Sequence, residues 1–385
     1  MLRDIFEVIL NEVTTMWKVR VTWLSLCLSV LVVASCTFPG IPGLAPDNGD
    51  SDDSIPSPLN LELLAGTIGD PGNTDGTGTD ARFNYPRGVA VDSAGNVYVA
   101  DRNNHTIRKV SAVGVVTTLA GTARMAGSAD GTGTAARFYN PYGVTIDSAG
   151  NVYVADGSNH TIRKVSAAGV VTTLAGTAGM PGSADGTGTA ARFNLPTGVT
   201  VDSASNVYVA DYGNHAIRKV SALGVVTTLA GSAGIPGSAD GPGTAALFYD
   251  PRDVTVDSAG NVYVADSGNH TIRKVNGAGV VTTLAGSAGV PGSADGPSTT
   301  SLFYDPRGVT VDSADNVYIA DTGNHTIHKV SPTGTATTIA GIAGVSGILL
   351  GATPRFASPI GLAIVADSIV ISDYNAILLL RHGTQ

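Results

Sequence analysis

Short apolar segments separated by glycine-rich turns recur along most of the chain. The segment GNVYVAD, which ends at Asp101, returns almost unchanged with its aspartate at positions 156, 211, 266 and 321, a spacing of 55 residues. Each unit contains four strand-like segments, which in the first unit are Gly88–Asp92, Asn96–Asp101, Thr106–Ser111 and Val115–Gly121. The first two are almost continuously apolar, which is typical of strands buried on both faces.

This repeat predicts an all-β fold, a six-bladed β-propeller of four-stranded antiparallel blades. The sixth unit keeps three strands, at Ile360–Val365, Ser368–Asp373 and Ala376–Arg381, but lacks an outer strand. An outer strand without a blade of its own, Leu61–Gly66, precedes the first unit. We predict that this strand pairs with residues 376–381, because the pairing closes the ring and covers a sheet edge that would otherwise be exposed.

The segment that follows GNVYVAD carries the most specific motif in the chain. It reads NHTIRKV, NHAIRKV or NHTIHKV, starting at Asn104, Asn159, Asn214, Asn269 and Asn324. These copies resemble the signature of the NHL-repeat propellers, and the chain is identified as a member of that family over residues 59–385. The glycine-rich connector GSADGTGTAARF is similar to that of a bacterial extracellular subgroup. The sixth unit departs from the signature, because Asn375 is not followed by histidine.

The N-terminal region resembles a bacterial export signal followed by an anchor. Basic residues precede an apolar run at 21–33, which predicts a signal peptide over residues 1–35, with Met16 as a candidate start. The run is shorter than the ~20 residues that a membrane-spanning helix needs. The segment VASC resembles a lipobox, which implies lipidation of Cys36, and ordinary secretion is the alternative. Residues 36–58 are predicted to form a flexible acidic linker rich in proline, glycine and serine.

Charge and cysteine content limit the partners. The formal net charge is −9, which argues against nucleic acid as a ligand. Cys27 lies inside the predicted signal peptide, so the mature chain has no second cysteine for a disulfide with Cys36. We expect a monomer held by its lipid anchor in the bacterial cell envelope, at the outer membrane or the cell surface.

Two rings of variable residues interrupt the otherwise similar units. The residues after the proline that precedes each inner strand are Arg87, Tyr142, Thr197, Arg252, Arg307 and Ile360. The residues after each second strand are Arg102, Gly157, Tyr212, Ser267, Thr322 and Tyr374. We expect the first ring to face one mouth of the central channel, where arginine would contact anions and tyrosine would offer flat, amphipathic area. Neutral variation of loop residues is the alternative.

Two other rings have simpler structural explanations. The motif histidines, His105, His160, His215, His270 and His325, are spread one per blade, whereas metal ligands must converge, so hydrogen bonds between blades are expected. The aspartates after the inner strands are Asp92, Asp147, Asp202, Asp257, Asp312 and Asp367. Capping of their own turns explains these aspartates more simply than a calcium ion in the channel.

These observations favour a binding module that presents one propeller face to a protein, peptide or glycan and needs no cofactor. The alternative is a propeller enzyme, a lyase or a lactonase-like hydrolase, with calcium or zinc in the channel, because related propellers include such enzymes. Tyr212, Asp253 and His215 would then be tested first. Asp253 replaces the glycine that four of the other five blades have, at Gly88, Gly143, Gly198 and Gly308. A purely architectural role is a third possibility.

Overall fold

The computed structural model describes residues 59–382, which form six antiparallel sheets. The signal peptide, Cys36 and the linker lie outside the described residues. From the channel outward, the strands of blade 1 are Pro86–Val91, Val97–Asp101, Thr106–Val110 and Val115–Ala120. Those of blade 2 are Pro141–Ile146, Val152–Asp156, Thr161–Val165 and Val170–Gly176. Those of blade 3 are Pro196–Val201, Val207–Asp211, Ala216–Val220 and Val225–Ala230.

The remaining blades follow the same order. Blade 4 has Pro251–Val256, Val262–Asp266, Thr271–Val275 and Val280–Ala285, and blade 5 has Pro306–Val311, Val317–Asp321, Thr326–Val330 and Ala336–Gly341. Blade 6 has Pro359–Val365, Ser368–Asp373, Ala376–His382 and, as its outer strand, Leu59–Gly66. The predicted six-bladed all-β propeller is therefore confirmed.

Blades 1 to 4 each contain a fifth strand that the sequence pattern did not reveal. A two-residue strand of the preceding connector pairs with the start of the outer strand, at Gly76–Thr77, Gly131–Thr132, Gly186–Thr187 and Gly241–Pro242. The described helices are single 3-10 turns, at Gly78–Asp80, Arg102–Asn104, Gly133–Ala135, Gly157–Asn159, Gly188–Ala190, Tyr212–Asn214, Gly243–Ala245 and Ser267–Asn269. Within residues 59–382 no helix is long and apolar enough to cross a membrane.

The two ends of the described chain meet in blade 6. Leu59 pairs with His382 and Leu61 with Leu380, in an antiparallel register that continues to Gly66. Leu61 is 1% exposed. The predicted closure by an N-terminal outer strand is confirmed, and it covers the edge that the last unit would otherwise expose.

The strands are apolar throughout because each blade is packed between two others. In blade 1, Val97 and Val99 pack against Val370 and Ile377 of blade 6. Tyr98 and Ala100 point the other way and belong to a cluster with Phe138 and residues of blade 2. Successive side chains of a strand point to opposite faces, so burial of both faces requires a continuous apolar run.

A buried ion pair ties the second and third strands of each of the first four blades. In blade 2, Arg163 Nη1 lies 2.8 Å from Asp156 Oδ2, and both side chains are fully buried. Arg163 Nη2 also lies 2.6 Å from Asp130 Oδ1 of the connector. The arginine of IRKV is therefore structural and not a surface cation. Blade 5 has His328 in its place, 3.3 Å from Asp321 Oδ2.

Candidate functional site

All six inner strands begin on the same face of the propeller, and the residues after their prolines meet there around the channel. A cavity of about 40 Å³ is lined by all six residues of the first predicted ring and by five of the six residues that follow them. The six side chains are Arg87, Tyr142, Thr197, Arg252, Arg307 and Ile360. The structure thus brings this ring together at one channel mouth, which we call the basic mouth.

Beneath the basic mouth the channel narrows to a ring of glycines. A Cβ atom on Gly88 would lie 2.8 Å from the Cα of Gly143, and a Cβ on Gly308 would collide with the carbonyl oxygen of Ile360. The inner strands therefore approach too closely for ordinary side chains. Gly361 occupies this position in blade 6, so glycine is present in all five of the other blades and not in four, as the sequence comparison indicated.

Asp253 is the exception in the glycine ring. It lines both the basic mouth and a wider channel cavity of about 220 Å³ beyond the constriction. Its Oδ2 accepts a hydrogen bond from the backbone N–H of Val309 at 3.0 Å. Burial raises the pKa of Asp253 to about 7, although backbone hydrogen bonds from Val309 and Val254 oppose this shift. A carboxyl group that titrates near neutral pH therefore lies in the constriction.

One side of the basic mouth is a stack of arginine and tyrosine. The Arg87 guanidinium carbon lies 4.7 Å from the ring centroid of Tyr85 and 5.6 Å from that of Tyr142. Arg102 lies 4.8 Å from the Tyr142 ring and donates a 3.0 Å hydrogen bond to its hydroxyl oxygen. Tyrosine faces attract cations, so the rings hold both guanidinium groups in place without neutralising them.

The opposite side contains partly compensated arginines. Arg307 Nη2 lies 2.6 Å from Asp305 Oδ2, and Arg252 Nε lies 3.6 Å from the other oxygen of Asp305. Burial would lower the pKa of Arg307, but the hydrogen bond and charge of Asp305 outweigh burial and raise it. Arg252 also lies 4.9 Å from the ring centroid of Tyr212. One carboxylate is thus shared between two cations.

Arg87 is the least compensated of these cations. Burial and the positive charges of Arg307 and Arg102 lower the pKa of Arg87 to about 10, against the opposing effect of Tyr85. Among residues 59–382, no hydrogen-bond partner exists for the buried Nε atoms of Arg87, Arg102 and Arg252. The Nε atoms of the buried structural arginines, such as Arg163, also lack a partner in this part of the chain, so this feature does not by itself distinguish the mouth. What distinguishes Arg87 and Arg102 is that neither pairs with a carboxylate among residues 59–382.

The second predicted ring is only partly at the mouth. Arg102 and Tyr212 contact mouth residues of the next blade, Tyr142 and Arg252. Gly157, Ser267 and Thr322 pack against the next blade. Tyr374 is not among the residues that line the cavity.

The packing members of this ring have identifiable contacts. The hydroxyl groups of Ser267 and Thr322 donate to the carbonyl oxygens of Pro306 and Pro359 in the next blade, the latter at 2.6 Å. A Cβ on Gly157 would press on the ring of Tyr142. Tyr374 is 45% exposed and lies in a turn two residues shorter than its counterparts, because Asp373 and Ala376 pair directly.

The motif histidines join neighbouring blades, as predicted. His160 Nδ1 accepts a 3.0 Å hydrogen bond from the backbone N–H of Leu195. His105, His215 and His270 make the same contact with Asn140, Asp250 and Asp305. In blade 6 the side-chain oxygen of Asn375 takes this role for the N–H of Tyr85. Within residues 59–382, His325 Nδ1 has no such partner.

The predicted turn capping is confirmed for five of the six aspartates. Asp367 is the exception, because Val365 and Ser368 pair directly and leave a two-residue turn. Asp92 Oδ1 accepts hydrogen bonds from the backbone N–H groups of Ala94 and Asn96, and its Oδ2 accepts one from the Tyr98 hydroxyl. The same bonds recur at Asp147, Asp202, Asp257 and Asp312. These carboxylates are therefore engaged in their own turns and not directed at a common ion.

Of the three residues named for the enzyme alternative, Tyr212 and His215 both contact Asp250, whereas Asp253 is not part of this group. Asp253 lies in the glycine ring, whereas His215 Nδ1 is occupied by Asp250, whose Oδ2 accepts the Tyr212 hydroxyl at 3.2 Å. Within the described part of the chain, no three side chains of His, Cys, Asp or Glu gather in a way that could hold a metal ion. One channel carboxylate does not supply the ligands that zinc or calcium needs, so these residues do not fit a channel metal.

The sequence pattern did not indicate that residues preceding the prolines contribute to the basic mouth. Tyr85, Asp250 and Asp305 belong to the mouth through their contacts with Arg87, Tyr212 and the pair Arg252 and Arg307. They also adopt positive φ angles, as Asn140 and Leu195 do at the same position in their blades. The available signal was variation at this position too: Tyr85, Asn140, Leu195, Asp250, Asp305 and Ser358.

The fold and the mouth together define a closed β-propeller that presents a variable basic surface at one end of its channel. Family models agree on the repeat type. The NHL repeat model matches residues 83–110, 193–220, 248–275 and 303–330, and the Teneurin NHL domain model matches residues 126–187. The chain is therefore a six-bladed propeller built from NHL repeats.

Two curated proteins are similar in sequence to this chain over about two thirds of its length. Protein SUPPRESSOR OF QUENCHING 1, chloroplastic, of Arabidopsis thaliana is 30% identical over 69% of this chain and 26% of its own length. NHL repeat-containing protein 2 of Homo sapiens is 30% identical over 67% of this chain and 40% of its own length. The chain thus spans well under half of these relatives.

Solved structures support the fold. An auxiliary nutrient binding protein from Bacteroides thetaiotaomicron superposes with a TM-score of 0.64 at 15% identity, covering 84% of this chain and 76% of that one. Virginiamycin B lyase from Staphylococcus aureus superposes with a TM-score of 0.53 at 15% identity, covering 84% of this chain and 99% of the lyase. At these identities the similarity establishes the propeller fold alone.

Proposed function

We propose that this protein is an envelope-exposed binding module that recognises its ligand at the basic mouth. The observation that carries the proposal is the contrast between the scaffold and the mouth. The five VYVAD or VYIAD strands are nearly identical, whereas six equivalent mouth positions hold four different residue types, with arginine at three of them. One of these arginines, Arg87, lies against tyrosine rings and has no carboxylate partner among residues 59–382.

Binding is favoured over catalysis by the chemistry at hand. Within residues 59–382, the mouth offers cations, aromatic faces and the carboxyl groups of Asp250, Asp253 and Asp305, which can hold a ligand but supply no nucleophile with an adjacent base. A nutrient-binding protein is among the structural neighbours, which is consistent with this choice.

The test is binding of the purified protein to protein extracts, peptide arrays and glycan arrays. Combined alanine substitution of Arg87, Tyr142, Arg252 and Arg307 should weaken any true hit by about tenfold or more, since hydrogen bonds to charged groups contribute roughly 1.5–3 kcal/mol each. Alanine at Leu223, which is 86% exposed, is the control and should leave binding unchanged. Equal affinity of both variants would reject the basic mouth as the binding surface.

A lyase or lactonase-like activity is the alternative, and the propeller fold of virginiamycin B lyase and the carboxyl group of Asp253 favour it. A channel metal in the purified protein, at one ion per chain by elemental analysis, would support this alternative. Its ligands would then have to include groups beyond those gathered in residues 59–382.

We also propose that the protein reaches the envelope through a signal peptide at residues 1–35 and is held there by lipidated Cys36, with residues 36–58 as a tether. Support comes from the basic and apolar order of the segment and from the lipobox-like VASC. The bacterial nutrient-binding neighbour is consistent with an envelope location.

A further inference from the structure

We propose that the basic mouth receives a carboxylate from an acidic peptide segment, while apolar side chains of the same segment pack on the surrounding face. This inference rests on the proposed binding function and adds the chemical class of the ligand. Three observations carry it: the uncompensated arginines, the small cavity with a carboxyl group in its floor, and a ring of exposed apolar side chains on the same face.

The arginines require an anion. Among residues 59–382, neither Arg87 nor Arg102 forms an ion pair with a carboxylate, and Asp305 is shared between Arg252 and Arg307. An incoming carboxylate supplies acceptor oxygens in the planar arrangement that guanidinium groups bind best.

The cavity selects a small anion of low charge. Its volume of about 40 Å³ accommodates one compact group, and Asp253 forms part of its lining. An ionised Asp253 would repel a doubly charged phosphate group more strongly than a singly charged carboxylate. Because the pKa of Asp253 is about 7, this group can also carry the proton of a hydrogen bond shared with the ligand's carboxylate.

The surrounding face is apolar in a regular pattern. Tyr139, Tyr249 and Tyr304 immediately precede the mouth segments of their blades and are 43%, 44% and 48% exposed. Farther out, each of four connectors exposes one aliphatic or thioether side chain about halfway: Met125, Met180, Ile235 and Val290.

These connectors lie on the same face as the mouth. The backbone N–H of Arg124 donates to the carbonyl oxygen of Asn104, and that of Gly179 donates to Asn159. Both asparagines belong to the turns that follow the second strands, where Arg102 contacts the mouth. A cationic centre surrounded by exposed apolar side chains complements a peptide with an acidic residue between apolar ones, whereas Met and Ile offer little to sugar hydroxyl groups.

The experiment uses acetylated decapeptide amides with a central Asp, Glu, Asn or Gln and either apolar or polar flanks, titrated against the full chain. Peptides with a central Asp or Glu and apolar flanks should bind about tenfold or more tightly than their Asn or Gln counterparts. Arg87→Gln and Arg307→Gln should abolish this preference. Arg355→Gln should retain it, because Arg355 is exposed and is not among the residues that line the basic mouth.

Three other results would contradict the inference, and they differ in what they imply for the proposed binding function. Arg87-dependent binding without preference for the acid would refute the carboxylate and leave the binding function standing. Tighter, Arg87-dependent binding of oligogalacturonate than of any peptide would refute the peptide and leave a glycan-binding mouth. Absence of peptide binding would also refute the inference, while the extract and array experiment judges the binding function separately.

Discussion

Arginine occupies two opposed environments in this chain. Arg163 is fully buried between the carboxylates of Asp156 and Asp130, and its Nη1 also donates to the carbonyl oxygen of Arg137 at 3.0 Å. Arg87 lies against tyrosine rings without a carboxylate partner among the described residues. The first environment stabilises the fold, because removing one member of a buried pair leaves the other charge uncompensated. The second environment leaves the Arg87 guanidinium in contact with aromatic rings, where a bound anion could pair with it.

Stability measurements should separate these two arginines. Arg163→Met should lower the free energy of unfolding by about 3–5 kcal/mol, because Asp156 would be left buried without its cation. Burial already raises the pKa of Asp156 to about 6, so its carboxyl group would have to stay charged at a cost or take up a proton. Arg87→Met should leave stability unchanged or raise it, because it removes a desolvated cation that has no carboxylate partner among residues 59–382. Urea denaturation of both variants gives the comparison. A loss of several kcal/mol in Arg87→Met would show that Arg87 is structural.

Asp253 should make stability depend on pH. Its pKa is about 7 in the folded protein, against about 3.9 in an unfolded chain. Between these values the folded state binds more protons, so this residue's contribution to stability falls as pH rises from about 4 to 7. Asp253→Asn keeps an oxygen atom that can accept the hydrogen bond from the Val309 N–H, but its amide group does not titrate in this pH range. We expect its melting temperature to exceed that of the wild type at pH 8, and this advantage to disappear near pH 4.

Calorimetry at several pH values measures this difference, and subtraction of the two curves removes the contribution of the other carboxyl groups. Asp80→Asn, at an exposed connector position, is the control and should shift the melting temperature equally at all pH values. A constant difference between wild type and Asp253→Asn would contradict the raised pKa.

Part of this site was visible in the sequence. The first ring stood out because Arg87, Tyr142 and their counterparts vary within near-identical repeats, and the structure places all six around one cavity. Tyr85 and Asp305 were missed, because a residue before proline gives no sign that it will contact an arginine of the mouth. Tyr374 was aligned with Arg102 by order along the chain, but a shorter turn removes the equivalence.

At the level of strands, the apolar pattern predicted almost every element to within two residues, because burial on both faces leaves an unbroken apolar run. The fifth strands were not predictable in this way. Gly131–Thr132 is two residues long and pairs only with Val170 and Val171, so it has neither apolar character nor length. Its position depends on where the connector crosses the next blade, which is a tertiary property.

The closing strand should be essential for a soluble fold. Removal of residues up to Gly66 would leave Ala376–His382 as an unpaired edge and uncover the cluster that contains Leu61, Leu378 and Leu380. We expect the shortened protein to aggregate, because an exposed apolar edge strand pairs with other chains. Size-exclusion chromatography would show this. A variant shortened only to residue 58 is the control, and monomeric behaviour of both would contradict the closure.

In the whole molecule, the features that repeat from blade to blade stabilise the ring, and the variable residues distinguish one blade from another. The repeated strands, histidine contacts and Arg–Asp pairs hold the ring, and they vary little from blade 1 to blade 4. Under the proposed function, recognition depends on the variable residues around the channel at the basic mouth. The residues outside the propeller are proposed to determine where this mouth is displayed.

The proposed anchor makes a prediction at this scale. Cys36→Ser should release the protein from the membrane fraction of a bacterial host and abolish incorporation of a palmitate analogue, because the modified sulfur is missing. Fractionation followed by immunoblotting measures the first effect and in-gel fluorescence the second. Cys27→Ser is the matched control, since this residue lies in the predicted signal peptide. Membrane retention of Cys36→Ser would contradict lipid anchoring.

The seam in blade 6 also has an evolutionary consequence. Because the outer strand Leu59–Gly66 comes from the opposite end of the chain, the boundaries of the 55-residue units are offset from the boundaries of the blades. Gain or loss of whole internal units by gene duplication or deletion therefore leaves both partners of the seam in place. Related propellers with a different number of blades can therefore evolve while the same strand pairing closes the ring.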